Sequence, residues 1–239
     1  MPFAYTELGM AQNRILEFYK MNLTSQLKMF AMTCLIAGNL AACINDTSNS
    51  GNDSIAVLTI SGQAIAGAVT GQVTVRDSSG IKVGTASVTT GSFSVTVTNA
   101  DLAGELDFEV TGTYHDEVSG GTVNLTAANP LALRTPAKHF LVSQISNAPI
   151  TTGSTIVREM VQNQGKTLSQ AQSAFKNAFG YKPDLTAKPF DPYTVPTNTP
   201  TTADKTAAFR AGMLSQLGTD LGLSATDLAE LPAKFAADL

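Results

Sequence analysis

Gly91-Ser92-Phe93-Ser94-Val95-Thr96-Val97 is the stretch that decides the fold. Phe93, Val95 and Val97 alternate with Ser94, Thr96 and Thr98, a period of two that puts apolar side chains on one face and hydroxyls on the other. The same alternation runs outward on both sides. Leu58 and Ile60 alternate with Thr59 and Ser61, Val73 and Val75 with Thr74 and Arg76, and Ala86 and Val88 with Ser87 and Thr89. Further on, Leu106, Phe108 and Val110 alternate with Asp107, Glu109 and Thr111, and Val123 and Leu125 with Asn124 and Thr126. Asp77-Ser78-Ser79-Gly80, Thr90-Gly91, Asn99-Ala100-Asp101 and Ser119-Gly120-Gly121 supply the turns. Six or seven short strands so spaced predict an antiparallel β-sandwich over residues 55–128.

Beyond Asn129-Pro130 the period becomes helical. Thr135-Pro136 reads as an N-cap with proline at the first helical position, followed by Ala137, Phe140, Leu141 and Ile145 on one face. Ser154 reads as the cap of a second helix bearing Ile156, Val157, Met160 and Val161. Thr167 or Ser169 opens a third, with Leu168, Ala171, Phe175, Ala178 and Phe179 as its apolar stripe and Gly180 as its stop. Phe175 and Phe179 read as core. Prolines 183, 189, 192, 196 and 200 make residues 181–203 an irregular connection. A fourth helix is predicted over 203–217 with Phe209, Met213, Leu214 and Leu217 as its buried side. Ser224 caps a fifth, with Leu228 and Leu231, which Pro232 restarts or kinks. The chain stops at Leu239 inside a helical pattern, as a truncated chain would.

Gly71-Gln72-Val73-Thr74-Val75-Arg76-Asp77, Gly80, Val83-Gly84-Thr85 and then Gly91 to Val97 resemble the prealbumin-like or carboxypeptidase-regulatory-like sandwich, an Ig-like architecture. That resemblance implies a spacer, adhesion unit or carbohydrate-facing accessory rather than a catalyst. Thr135-Pro136, Gly165-Lys166-Thr167-Leu168 with Ala171, and Phe179-Gly180 resemble a C-terminal region of uncharacterised exported lipoproteins, which implies no settled activity. The expected fold class is α+β: an N-terminal signal helix, an antiparallel Ig-like or prealbumin-like sandwich, and a small all-α domain over residues 129–239.

The N-terminal end carries an address. Lys28 precedes an apolar run from Met29 to Ala42, which ends at Leu40-Ala41-Ala42-Cys43. Fourteen residues interrupted by Thr33 and Asn39 are too few for a transmembrane helix, which needs about 20. A basic segment followed by a short apolar run has the form of a secretory leader, and Met21 gives that leader a better start than Met1, because Glu7 and Glu17 do not suit a leader's first segment. Leu40-Ala41-Ala42-Cys43 resembles the lipobox of bacterial lipoproteins. The resemblance implies cleavage between Ala42 and Cys43, so that 1–42 is removed, and attachment of lipid to the Cys43 sulfur. One acyl chain binds a membrane marginally, whereas two or three anchor it. Ile44, rather than an acidic residue, follows the cysteine; by resemblance to lipoprotein sorting in diderm bacteria this implies the outer membrane. Asn45 to Ser54 holds no apolar residue beyond glycine and reads as a tether, making 43–54 anchor and spacer.

Charge and cysteine count narrow the rest. The chain has 239 residues, of which 14% are charged, and a net charge of −4. Removing 1–42 takes away Arg14, Lys20, Lys28, Glu7 and Glu17 and leaves −5, with no basic run. Nucleic acid is not an expected partner, since its affinity rests on neutralising phosphates. Cleavage discards Cys34 and lipid occupies Cys43, so neither a disulfide framework nor a thiol nucleophile remains. No cofactor motif is legible.

Catalytic candidates are sparse. His115, Asp116 and Glu117 stand together and are the weak candidates for metal binding or acid–base work; a polar turn accounts for the same residues. His139 precedes Phe140 on a predicted helix, at the surface or packed. Asp101, Asp107 and Glu109 would suit a calcium site at a sheet edge, or a solvated strand face. Gly165-Lys166-Thr167 lacks the upstream glycine of a phosphate loop, position 160 being Met160, and no strand precedes it. No catalytic residue and no metal site are therefore assigned. The expected function is a lipid-anchored, non-enzymatic binding or structural module of the cell envelope, held to the membrane at Cys43, with cell-wall glycan or an envelope protein as partner. The alternatives are a carbohydrate- or peptide-directed enzyme or enzyme accessory, with its site between sandwich and helices, and an envelope assembly factor.

Overall fold

The alternating stretches do form strands, and each turns its apolar residues toward one shared interior. In the computed structural model the described residues are 57–98, 103–116, 118–142, 147–191 and 199–239. The leader, Cys43, the tether, Asp101, Glu117, Ile145 and residues 192–198 lie outside them. The described residues belong to one compact unit, Asp53–Leu239. The fold is mixed α+β.

Its strands are β1 (Val57–Ile65), β2 (Thr70–Arg76), β3 (Lys82–Val88), β4 (Ser92–Thr98), β5 (Glu105–Asp116), β6 (Gly121–Leu125), β7 (Leu131–Pro136) and β8 (Asn147–Thr151). Its helices are α1 (His139–Val142), α2 (Thr152–Gln164), α3 (Leu168–Phe179), α4 (Thr202–Asp220) and α5 (Ala225–Asp238). One sheet has the order β4-β1-β8. Here β1 pairs antiparallel with β4 from Val57↔Thr98 to Gln63↔Ser92, and parallel with β8 from Ser61↔Asn147 to Ile65↔Thr151. The other is antiparallel, with β3, β2 and β5 in order and both β7 and β6 on the far side of β5.

β5 serves two partners in succession. Glu105–Val110 pair with β7 and Gly112–Asp116 with β6. Between these halves Gly112 takes φ +140°, a conformation that glycine reaches without strain. A Cβ there would run into the Thr70 carbonyl oxygen of β2. Ile60, Val95 and Val97 of the first sheet and Val73, Val75, Leu106, Phe108 and Leu133 of the second share one buried cluster. β4 buries every second residue, as its alternation predicts.

α2 and α5 lie against the second sheet, and α3 and α4 pack on them. α2 packs on β7, where the Ala132 amide donates to Thr155 Oγ1 at 2.8 Å and Ser154 Oγ donates to the Ala132 carbonyl at 2.7 Å. α5 reaches the sheet cluster through Leu228 and Leu231. A second cluster joins Ile156, Val157 and Met160 of α2 to Phe175 of α3, Leu214 of α4 and Ala236 of α5. Phe235 touches both clusters.

Several sequence expectations are corrected here. Thr135-Pro136 does not start a helix; it ends β7, with Pro136 opposite Glu105. Among the described residues one helical turn, α1, follows, anchored by Phe140 edge-on to Phe108 at 5.7 Å. Asn147–Thr151 form a strand whose first four residues are all buried, so no alternation betrays it. Strands β7 and β8 thus lie beyond residue 128, where the period change ends the run of strands. Thr151 rather than Ser154 caps α2, and Ser154 completes the reciprocal box three residues on. Asp107 is buried rather than solvated, because α2 covers that face of β5. Phe209, Met213 and Leu217 of α4 are exposed; of the expected stripe only Leu214 is buried. Thr167, Gly180 and Ser224 cap their helices as predicted, and α5 runs through Pro232 without a break.

Candidate ligand groove

The ends of β5 and β7, the α1 turn, the start of α3 and the loop at Leu185 enclose an open groove of about 910 Å³. This falls within the range of small-ligand sites, roughly 300–1,000 Å³. Glu105 comes from β5, Thr135 and Pro136 from β7, Lys138 and His139 from the α1 turn, and Thr167, Leu168, Ser169 and Gln172 from the start of α3.

Each wall is fixed from behind. Arg134 Nε donates to Glu105 Oε2 at 2.7 Å, which holds the carboxylate in place. Phe140 in the core pins α1, and the His139 ring stands edge-on to it at 5.2 Å. His139 Nε2 lies 3.2 Å from the Leu185 carbonyl oxygen. A carbonyl only accepts, so this nitrogen carries the proton and donates. Thr167 and Gln170 cap α3 reciprocally. Thr135 is fully buried, and its Oγ1 has no hydrogen-bond partner among the described residues. The groove therefore offers one carboxylate, one ammonium, an imidazole, hydroxyls and an amide around the apolar Leu168 and Leu185. That set suits a neutral or zwitterionic chain rich in hydrogen-bonding groups.

A second polar cluster lies under α2. Arg158 Nε stands 3.3 and 3.2 Å from the two Asp107 oxygens, and its Nη1 is 2.8 Å from Glu159 Oε1. Its Nη2 donates to Asp107 Oδ2 at 3.1 Å and also to Glu109. Arg76 Nε approaches Glu109 from the other side at 3.4 Å. Burial pushes the Asp107 carboxyl above the usual range, with Arg158 pulling the other way. Burial also works against the Arg158 charge, but Asp107 and then Glu159 outweigh it, so the guanidinium holds its proton more firmly than usual. An arginine already occupies the centre of these carboxylates, so the cluster ties α2 to β5 rather than presenting a site.

The residues singled out in the sequence do not converge on the groove. His115 and Asp116 are neighbours on β5 and face opposite ways, His115 exposed and Asp116 fully buried. Asp116 Oδ2 accepts from the Ser119 amide at 2.8 Å, and Oδ1 accepts from the Ser215 hydroxyl of α4, which closes the turn and docks the helix. Glu117 and Cys43 lie outside the described residues. Lys166 sits in the turn between α2 and α3 and donates to Gln164 Oε1. Asp107 and Glu109 meet Arg158, whereas Asp101 lies outside the described residues. Among the described residues no group of three or more His, Cys, Asp or Glu is arranged to hold a metal ion. Nor is any described helix long and apolar enough to cross a membrane.

Sequence reasoning passed over Glu105, Lys138 and Gln172 entirely, and weighed His139 only as a surface or packed residue. Lys138, His139 and Gln172 lie close to Thr135-Pro136 or Gly165-Lys166-Thr167, both read as helix starts, whereas Glu105 reaches the groove only through its pairing with Pro136. No protein-family model, curated protein or solved structure matches the chain.

Proposed function

We propose that this chain is a lipid-anchored cell-envelope protein, attached at Cys43 to the outer membrane of a diderm bacterium, and that it acts as a non-enzymatic binding module through the groove. The leader pattern, Leu40 to Cys43 and the polar tract after it support the anchor. Two sheets over one core, with the β2–β3 and β4 stretches in the expected order, support a diverged prealbumin-like sandwich as the scaffold.

The observation that carries the binding role is the groove's construction. Hydrogen-bonding groups of both charges project from positions held by Arg134, Phe140 and the α3 cap, and a preformed site loses little freedom on binding. Cell-wall glycan is the expected ligand and an envelope protein the alternative partner. The test is sedimentation of the protein with purified, insoluble cell-wall sacculi. Retention that drops at least about tenfold, roughly 1.4 kcal/mol, in Gln172→Ala and in Lys138→Ala supports the groove. Retention unchanged in both variants contradicts it.

A second reading, an enzyme or enzyme accessory acting on carbohydrate or peptide, draws on His139 and Glu105 sharing the groove. Release of soluble fragments from the same sacculi, abolished by His139→Ala, would establish it in place of the first.

A further inference from the structure

α4 wears its bulk outward. Its buried side consists of Ala208, Ala211, Leu214 and Gly218, with a single large apolar residue. Its solvent side carries Phe209 (69% exposed), Met213 (46%), Leu217 (38%) and, at the cap, Leu221 (61%). Residues four apart form one ridge, here about 18 Å long. A helix that is apolar on both sides belongs in an interior, and an exposed apolar ridge on a folded chain marks a contact surface.

Gly212 adds a notch to the ridge. It lies inside α4, where glycine costs about 1 kcal/mol against alanine. A Cβ at this position would meet nothing within 4 Å. Nothing among the described residues therefore requires glycine there.

The charges at the two ends complete the pattern. Lys205 and Asp220 are both exposed and lie at mirror positions about the midpoint between Gly212 and Met213. Antiparallel apposition of this helix with itself about that midpoint matches Lys205 with Asp220 of the second copy, twice. It sets Phe209 over Gln216 and Leu217 of the second copy, and Met213 into the opposing Gly212 notch. A parallel pairing would set Lys205 against Lys205. Self-complementarity of this kind is what an isologous two-fold contact requires. We propose that the α4 ridge is the contact between two copies of this chain, packed antiparallel about a two-fold axis between Gly212 and Met213. The pairing does not depend on what the groove binds.

The experiment is oxidative cross-linking of the full chain in intact cells with Met213→Cys, beside the axis. Lys234→Cys, exposed elsewhere, and the unchanged chain are the controls. A band at twice the monomer mass with Met213→Cys, and not with the controls, is expected. Lys205→Asp in the Met213→Cys background reduces that band at least about tenfold, the cost of facing like charges. Adding Asp220→Lys restores it. All these changes are at exposed positions, and the rescue separates lost pairing from lost folding. No dimer above the controls overturns the proposal, as does failure of the double reversal to restore it. Sedimentation of the unlipidated Cys43→Ser chain with phosphatidylcholine vesicles that Phe209→Ser abolishes, without any cross-linked dimer, would assign the ridge to a bilayer and likewise overturn it.

Discussion

Arg158 pairs with three carboxylates, Asp107 and Glu109 of β5 and Glu159 of its own helix, while Arg76 also meets Glu109. The contacts of Arg158 with Asp107, Glu109 and Glu159 bring together residues up to 51 positions apart. Removing one partner of a buried charge network leaves uncompensated charge and costs about 3–5 kcal/mol. Arg158→Met is expected to destabilise the chain by that much at neutral pH, measured by urea unfolding. The cost depends on pH. Without Arg158, the Asp107 carboxyl keeps its burial and loses the opposing pull, so its native pKa climbs further above the unfolded value of 3.8. A raised native pKa gives stability that is present at low pH and lost as the pH rises through it. The penalty of Arg158→Met therefore shrinks as the pH falls toward 3.8, and a penalty independent of pH would refute this account of the network. Asp107 and Glu109 show what sequence alone cannot reveal. Their alternation with Leu106 and Phe108 marks them as facing away from the core, which is correct. Nothing local says that a helix 50 residues later returns to cover that face.

The four long helices begin alike. Thr151 with Ser154, Thr167 with Gln170, Thr201 with Asp204, and Ser224 with Asp227 each form a reciprocal capping box. Two of these boxes titrate. Partial burial works against the Asp204 charge, but hydrogen bonds from Lys188 and Thr201 outweigh it and hold the pKa below 3.8. The Ser224 hydroxyl and amide lower that of Asp227. A depressed native pKa contributes stability that is present above 3.8 and lost as the pH falls through the lower native value. Between about pH 4 and 2, the first turns of α4 and α5 are expected to loosen while those of α2 and α3 hold. Amide NMR shifts over Thr202–Lys205 and Ala225–Leu228 follow this directly. Equal behaviour of all four helix starts would contradict it. Thr167 and Ser224 were legible as caps, because each lies three residues before its partner, whereas Thr151 was passed over for Ser154 and Thr201 was not singled out. α4 was legible as a helix but not in its orientation. Its apolar residues lie on both sides, so periodicity cannot choose which side faces in.

At the scale of the whole molecule, the strands of residues 57–125 were readable because each alternates. β7 and β8 were not. β8 is buried at four consecutive positions and pairs in parallel with β1, 86 residues away at Ser61↔Asn147. The groove was illegible for a related reason, since its walls come from positions 105, 135–139, 167–172 and 185. The account of place and role depends on Cys43. Feeding cells an alkyne-bearing fatty acid, then comparing the label on the native chain with that on Cys43→Ser, tests it most directly. Label is expected on the native chain and not on Cys43→Ser, with the variant released from the membrane fraction. Equal label on both, or a native chain recovered water-soluble with Met29 to Ala42 still attached, would contradict it.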